Sequence, residues 1–128
     1  MADNMAKVTI MGCGSWGTAL AIVLAQKGIP VTMWCRREAQ AVEMNTQHTN
    51  EKYLPDIYLP ENISVTTSLS DALQDAKFVV LAVPSQTLRE NLEQAKPYLA
   101  SDAILINTAK GLEVGSNMRL SQVQREMA

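Results

Sequence analysis

Gly12, Gly14 and Gly17 stand at the spacing G-x-G-x-x-G, in the run Gly12-Cys13-Gly14-Ser15-Trp16-Gly17. A short apolar run, Val8 to Met11, leads into it. A small-residue apolar stretch, Thr18 to Lys27, follows at once and stops at Gly28. The order is strand, tight turn, helix, and each glycine has its own task in it. The first lets the chain turn sharply out of the strand. The second carries no side chain where a ligand's phosphates would approach, and the third lets the helix pack close to the sheet. The free N–H groups of the first helical turn and the helix dipole both favour negative charge there. These residues therefore predict a site for the pyrophosphate of a dinucleotide, with Ser15 and Trp16 placed to touch it.

A second cluster bears on which dinucleotide. Sites that take NAD usually carry an Asp or Glu at the end of the second strand, about 20 residues past the glycines, to bond the ribose hydroxyls. This chain reads Trp34-Cys35-Arg36-Arg37 there, with two guanidinium groups in place of the carboxylate. Arginine stacks on adenine and pairs with a 2′-phosphate. The expectation is NADP(H) as favoured cofactor, with NAD(H) retained as an alternative.

These residues need a frame that brings them together. Apolar strand patterns at Lys7 to Met11, Val31 to Cys35, Ile63 to Thr66, Phe78 to Val83 and Ala103 to Asn107 alternate with helical patterns. The helical segments are Ser15 to Lys27, with Ala19, Leu20, Val23 and Leu24 on one face, then Arg37 to Asn45 with Ala41, Val42 and Met44 apolar. A brief helix through Leu73 capped by Ser68 or Ser70 comes next, then Thr87 to Lys96 and Met118 to Met127. Phe78 to Val83 and Ala103 to Asn107 read as buried strands. Alternation of this kind predicts an α/β fold: a Rossmann-like, doubly wound, mainly parallel sheet in three α/β/α layers. Ligands of such sheets lie at the carboxyl ends of the strands. Gly12 to Gly17, Arg36 with Arg37, Pro84 with Ser85, and Thr108 to Lys110 all fall at strand ends and should line one edge.

Composition narrows the class. The 128 residues suit one domain, 47% are apolar, and the formal net charge is −2. That balance gives no reason to expect nucleic-acid binding or an anionic membrane surface as partner. No apolar run approaches the ~20 residues that span a bilayer, so no membrane insertion is expected. No signal-peptide segment precedes Lys7. Cys13 and Cys35 have no metal-ligand spacing and read as small buried residues of a reduced, cytoplasmic protein. His48, the sole histidine, lies in the long connection from Thr46 to Asn62 and reads as a surface residue, with a minor site contact as the alternative.

The chain resembles the N-terminal half of the bacterial type of NAD(P)-dependent glycerol-3-phosphate dehydrogenase. The residues that carry the resemblance are Gly12-Cys13-Gly14-Ser15-Trp16-Gly17-Thr18-Ala19-Leu20-Ala21, Val31-Thr32-Met33-Trp34, Asn50-Glu51-Lys52-Tyr53-Leu54-Pro55, Leu59-Pro60, Ala82-Val83-Pro84-Ser85 and Ala109-Lys110-Gly111-Leu112-Glu113. The resemblance implies hydride transfer between dihydroxyacetone phosphate and sn-glycerol 3-phosphate, a precursor of phospholipids. It implies cofactor contacts at Ser15, Trp16, Arg36, Arg37, Tyr53 and Pro84. It makes Lys110 a contact to both cofactor and substrate.

Family members run to more than twice this length, and their C-terminal helical domain carries the catalytic lysine. That lysine lies beyond Ala128, so no catalytic residue is assigned here. The expectation is a cofactor-binding domain, residues 1–128, that is inactive alone and whose uncovered apolar face favours association of copies. The alternatives are a non-catalytic dinucleotide-binding or regulatory domain, and another dehydrogenase of the 6-phosphogluconate or hydroxyacid type.

Overall fold

The computed structural model describes residues 7–83 and 85–107. Expectations for Pro84, for Thr108 to Lys110 and for a helix at Met118 to Met127 lie outside them.

Among the described residues, five parallel strands form one sheet in the order β3-β2-β1-β4-β5. They are β1 (Lys7–Met11), β2 (Val31–Trp34), β3 (Ile63–Thr66), β4 (Ala76–Leu81) and β5 (Ile104–Asn107). The connections are α1 (Ser15–Gln26), α2 (Glu38–Thr46), α3 (Leu69–Leu73) and α4 (Ser85–Ala95), the last followed by a single 3-10 turn at Lys96–Tyr98. Parallel neighbours require crossovers, and each of the four carries a helix, α2 being followed by a long loop before β3. The chain winds outward from β1 through β2 to β3, then returns to the other side of β1 for β4 and β5. Strand order thus reverses between β1 and β4, the place where ligands of open α/β sheets bind.

The register makes the carboxyl edge flush. Met11 pairs with Trp34 and Leu81, Trp34 with Thr66, and Leu81 with Asn107. Ladder bonds run one residue further: Gly12 N–H donates to the Trp34 carbonyl (3.0 Å), Cys35 N–H to Thr66 (2.9 Å) and Ala82 N–H to Met11 (2.9 Å). The turns after β1, β2 and β4 therefore leave at one level.

The two faces of the sheet bury separate cores. Ile10, Met33, Val65 and Val80 lie with Ala21, Ala25, Met44 and Leu59 on one face. Met11, Val79 and Leu81 lie with Leu73, Leu88 and Leu92 on the other. Ser68 caps α3, its Oγ accepting from the Asp71 N–H at 3.2 Å. Gly28, at φ 87°, ends α1 in the left-handed conformation that favours glycine.

Three expectations are corrected. The fully buried residues of α1 are Gly17, Thr18, Ala21 and Ala25; of the face expected at Ala19, Leu20, Val23 and Leu24, Leu20 and Leu24 pack partly buried against the core and Val23 is exposed. Small side chains at i and i+4 let the helix lie close on the sheet. Of the apolar residues of α2, Ala41 and Met44 are buried and Val42 faces solvent, a distribution the sequence reading left open. The strand expected at Phe78 to Val83 starts at Ala76, which pairs with Lys7 across an irregularity, and ends at Leu81. Finally, β5 is an edge strand among the described residues. Ile104 and Ile106 are exposed, and the partly buried Leu105 packs on the core.

Candidate functional site

The glycine turn sits at the reversal point, and the three glycines differ in what they make room for. Gly12 adopts φ +118°, and a Cβ there would lie 2.6 Å from the Ala82 carbonyl oxygen. It is glycine because β1 and β4 part within a backbone's width. A Cβ on Gly17 would lie 2.5 Å from the Gly12 carbonyl oxygen and 3.2 Å from Ala82 Cβ. Gly17 thus lets the first turn of α1 rest on the glycine turn itself, where the sequence predicted close packing on the sheet.

Gly14 is different. Its φ of −76° and ψ of −171° are open to any residue. A Cβ on it would meet nothing within 4 Å. Nothing in the fold among the described residues requires glycine there. It is the N-cap of α1, and neither a capping side chain nor an acidic residue in the first turn competes for the helix N-terminus. The first-turn N–H groups have no intrahelical acceptors. This arrangement suits an anion, held by N–H donors and the positive end of the dipole.

An open cleft of ≈ 330 Å³ runs past this turn. Gly12, Gly14, Arg36, Arg37 and Tyr53 line it, together with Ala82, Val83, Thr87 and Asn91. Two of the four groups expected at this edge, the glycine turn and Arg36 with Arg37, therefore meet in it. Both guanidiniums are exposed, and neither forms an ion pair among the described residues. Tyr53 also borders an adjoining cleft of ≈ 190 Å³ with Lys52, whose Nζ lies 5.5 Å from the tyrosine ring centroid. Ser15 and Trp16 stand in the first turn of α1 with exposed side chains, outside the walls of this cleft. Pro84 and Lys110 lie outside the described residues.

Sequence reasoning missed the polar groups that hold the turn. Asn50, 1% exposed, and Gln40 of α2 both donate to the Cys13 carbonyl. Both were legible only as polar residues in a helix and a long loop. Asn91 is 2% exposed; its Nδ2 donates to the Thr87 carbonyl, and its Oδ1 has no partner among the described residues.

The cysteines are buried and free, as expected. The Cys35 thiol beside Cys13, followed by burial, holds the Cys13 thiol well above the usual thiol range. Cys13 is a packed, protonated residue of the turn, its Sγ donating to the Trp34 carbonyl at 3.5 Å. His48 departs from a surface reading. It is half-buried at φ 58°, its ring 5.5 Å from that of Tyr58, and it lines neither cleft.

A doubly wound parallel sheet with a glycine-rich turn at its reversal point defines a Rossmann-type nucleotide-binding domain. Residues 7–128 match the model of the NAD-dependent glycerol-3-phosphate dehydrogenase N-terminus, and the chain belongs to that family. It is 49% identical over 122 residues to the glycerol-3-phosphate dehydrogenase [NAD(P)+] of Streptomyces avermitilis, an alignment covering 95% of this chain and 36% of that protein. The Corynebacterium glutamicum enzyme of the same name is 48% identical over 123 residues, covering 96% and 37%. Among solved structures, glycerol-3-phosphate dehydrogenase from Coxiella burnetii superposes with a TM-score of 0.86 at 32% identity, over 96% of this chain and 38% of that one. The Saccharomyces cerevisiae enzyme gives 0.80 at 37% identity, over 87% and 35%. An arogenate dehydrogenase from Synechocystis, 20% identical with a TM-score of 0.71, shares the fold. The chain spans a little over a third of the length of the curated relatives it matches.

Proposed function

We propose that this chain supplies the cofactor-binding half of an enzyme that interconverts dihydroxyacetone phosphate and sn-glycerol 3-phosphate, with NADP(H) as the favoured cofactor. The observation that carries the reading is Gly14: a glycine with an ordinary backbone conformation and open space around it, at an uncapped helix N-terminus. A residue the fold does not need as glycine has a ready explanation in a ligand that comes too close for a Cβ. The names of the relatives, glycerol-3-phosphate dehydrogenase [NAD(P)+], supply the substrate class.

A nicotinamide cofactor held in the cleft would supply the hydride chemistry. The chain's own residues bind and orient. The N–H groups of the first turn of α1, at Ser15 and Trp16, hold the pyrophosphate. Tyr53 covers the rim of the cleft. Arg36 and Arg37 receive the adenosine end, where a 2′-phosphate gains two charge-assisted partners that a ribose hydroxyl does not. Pro84 and Lys110 complete the site in this reading, with Lys110 facing the substrate phosphate or carbonyl as a flexible cation. The setting is the cytoplasm, where the two free thiols stay reduced. Among the described residues no helix is long and apolar enough to cross a membrane.

Calorimetric titration of the 128-residue chain with NADPH and NADH tests this reading. Saturable binding of both, tighter for NADPH, is the expected result. Absence of binding by either would overturn it.

A further inference from the structure

Asn50 is the most deeply buried polar residue of the long loop between α2 and β3, at 1% exposure. Its side-chain nitrogen donates to the Cys13 carbonyl at 2.9 Å and to Thr18 Oγ1 at 3.0 Å. Its side-chain oxygen accepts from Gln40 Nε2 at 3.2 Å, and the same Gln40 nitrogen donates to the Cys13 carbonyl at 2.8 Å. Two amide donors therefore hold one backbone oxygen. A trans peptide is planar, so its C=O and N–H point in opposite directions. Anchoring the Cys13 carbonyl on the Asn50 side fixes the Gly14 N–H on the other side. Thr18, one turn into α1, is held by the same amide, so the helix start and the turn are pinned to one group.

The main chain of Asn50 does a second job. Its carbonyl accepts from the Tyr53 N–H at 3.1 Å and the Leu54 N–H at 2.8 Å, closing the tight turn that carries Tyr53 to the cleft. Glu43 of α2 steadies the loop, accepting from Thr49 Oγ1 and the Glu51 N–H, each at 2.9 Å.

We propose that Asn50 is a positioning residue for phosphate binding: its amide presets the Cys13–Gly14 peptide and the N-terminus of α1, and its carbonyl couples that turn to Tyr53. The proposal rests on the dinucleotide reading of the cleft. Asn50→Asp is nearly isosteric but replaces the donor facing the Cys13 carbonyl with an acceptor. The peptide then loses a partner and gains a repulsion.

The test compares the wild-type chain and Asn50→Asp in three measurements: melting temperature, the amide NMR signals of Gly14 to Gly17 without ligand, and binding of NADPH and of adenosine 2′-monophosphate. The last ligand carries the phosphate for Arg36 and Arg37 but no pyrophosphate. In a folded variant the Gly14 and Ser15 signals should move, and NADPH should weaken by at least about tenfold, the effect of one lost charge-assisted bond. Binding of the monophosphate should stay within about twofold. Unmoved signals with unchanged NADPH affinity would overturn the proposal. So would equal losses for both ligands, which would mark a general disturbance. If Asn50→Asp does not fold, Thr18→Val and Thr18→Ser replace it. Valine should move the Gly14 signal and weaken NADPH selectively, and serine should restore both; identical behaviour of the two would overturn the proposal. A wild-type chain that binds no NADPH would refute the cofactor reading, and the ligand-free spectra would still decide the role of Asn50.

Discussion

The carbonyl oxygen of Gly12 and the α-carbon of Gly17 are in closest-packing contact: a Cβ on Gly17 would sit 2.5 Å from that oxygen. Backbone, not a flexible side chain, is the obstacle. Gly17→Ala must therefore push α1 off the turn. It should cost about 1–3 kcal/mol, the usual range for overpacking, and should weaken dinucleotide binding with it. Urea unfolding with an unchanged m-value checks the first part. A variant as stable as wild type would show that the turn yields more easily than its geometry implies.

The arginines make a prediction about salt as well as about specificity. Both are exposed, so their attraction for a 2′-phosphate is open to screening. Replacing both with alanine should weaken NADPH by about 10- to 100-fold, as expected for two charge-assisted contacts of ~1.5–3 kcal/mol less the solvent screening at an exposed site. NADH should change little. Raising ionic strength should erode the preference for NADPH in the wild-type chain and not in the variant. Equal losses for both cofactors would assign the arginines another task.

Cys13 gives the turn a pH dependence. Its thiol is held protonated in the folded chain by the neighbouring Cys35 thiol and by burial. The unfolded chain releases that proton near the ordinary thiol value of ~8.5. Above that pH the unfolded state binds fewer protons than the native state, so stability falls as pH rises. Denaturant unfolding from pH 7 to 10 should show the decline, and Cys13→Ala should flatten it. A thiol reagent should leave Cys13 unmodified in the folded chain at neutral pH, because the thiolate is the reactive form. Fast modification would contradict the protonated, buried state.

Much of this was legible in the residues, for identifiable reasons. The strand–turn–helix at Lys7 to Gln26 was readable because each glycine answers a local constraint. Strands β1 and β3 fell where the apolar pattern put them. Other features depended on partners far along the chain. The buried face of α1 follows from how close the helix lies to the sheet, which favours Ala21 and Ala25 over Val23. Ile104 and Ile106 are exposed on a strand at the edge of the described sheet, a position that the composition of a four-residue strand does not announce. Asn50 and Gln40 looked like ordinary loop and helix residues. Their role appears only when a loop 37 residues away folds back onto the Cys13 carbonyl.

The central claim is that Gly14 is glycine for a ligand and not for the fold. The direct measurement is a calorimetric titration of NADPH into the wild-type chain and into Gly14→Val, with thermal unfolding of both alongside. Since φ and ψ at Gly14 suit a side chain and its Cβ would meet nothing within 4 Å, the variant should unfold within about 1 kcal/mol of wild type. Its NADPH affinity should drop by about 100-fold or more, as expected when two or more backbone donors lose a phosphate. A folded Gly14→Val chain that binds NADPH as tightly as wild type would contradict the account.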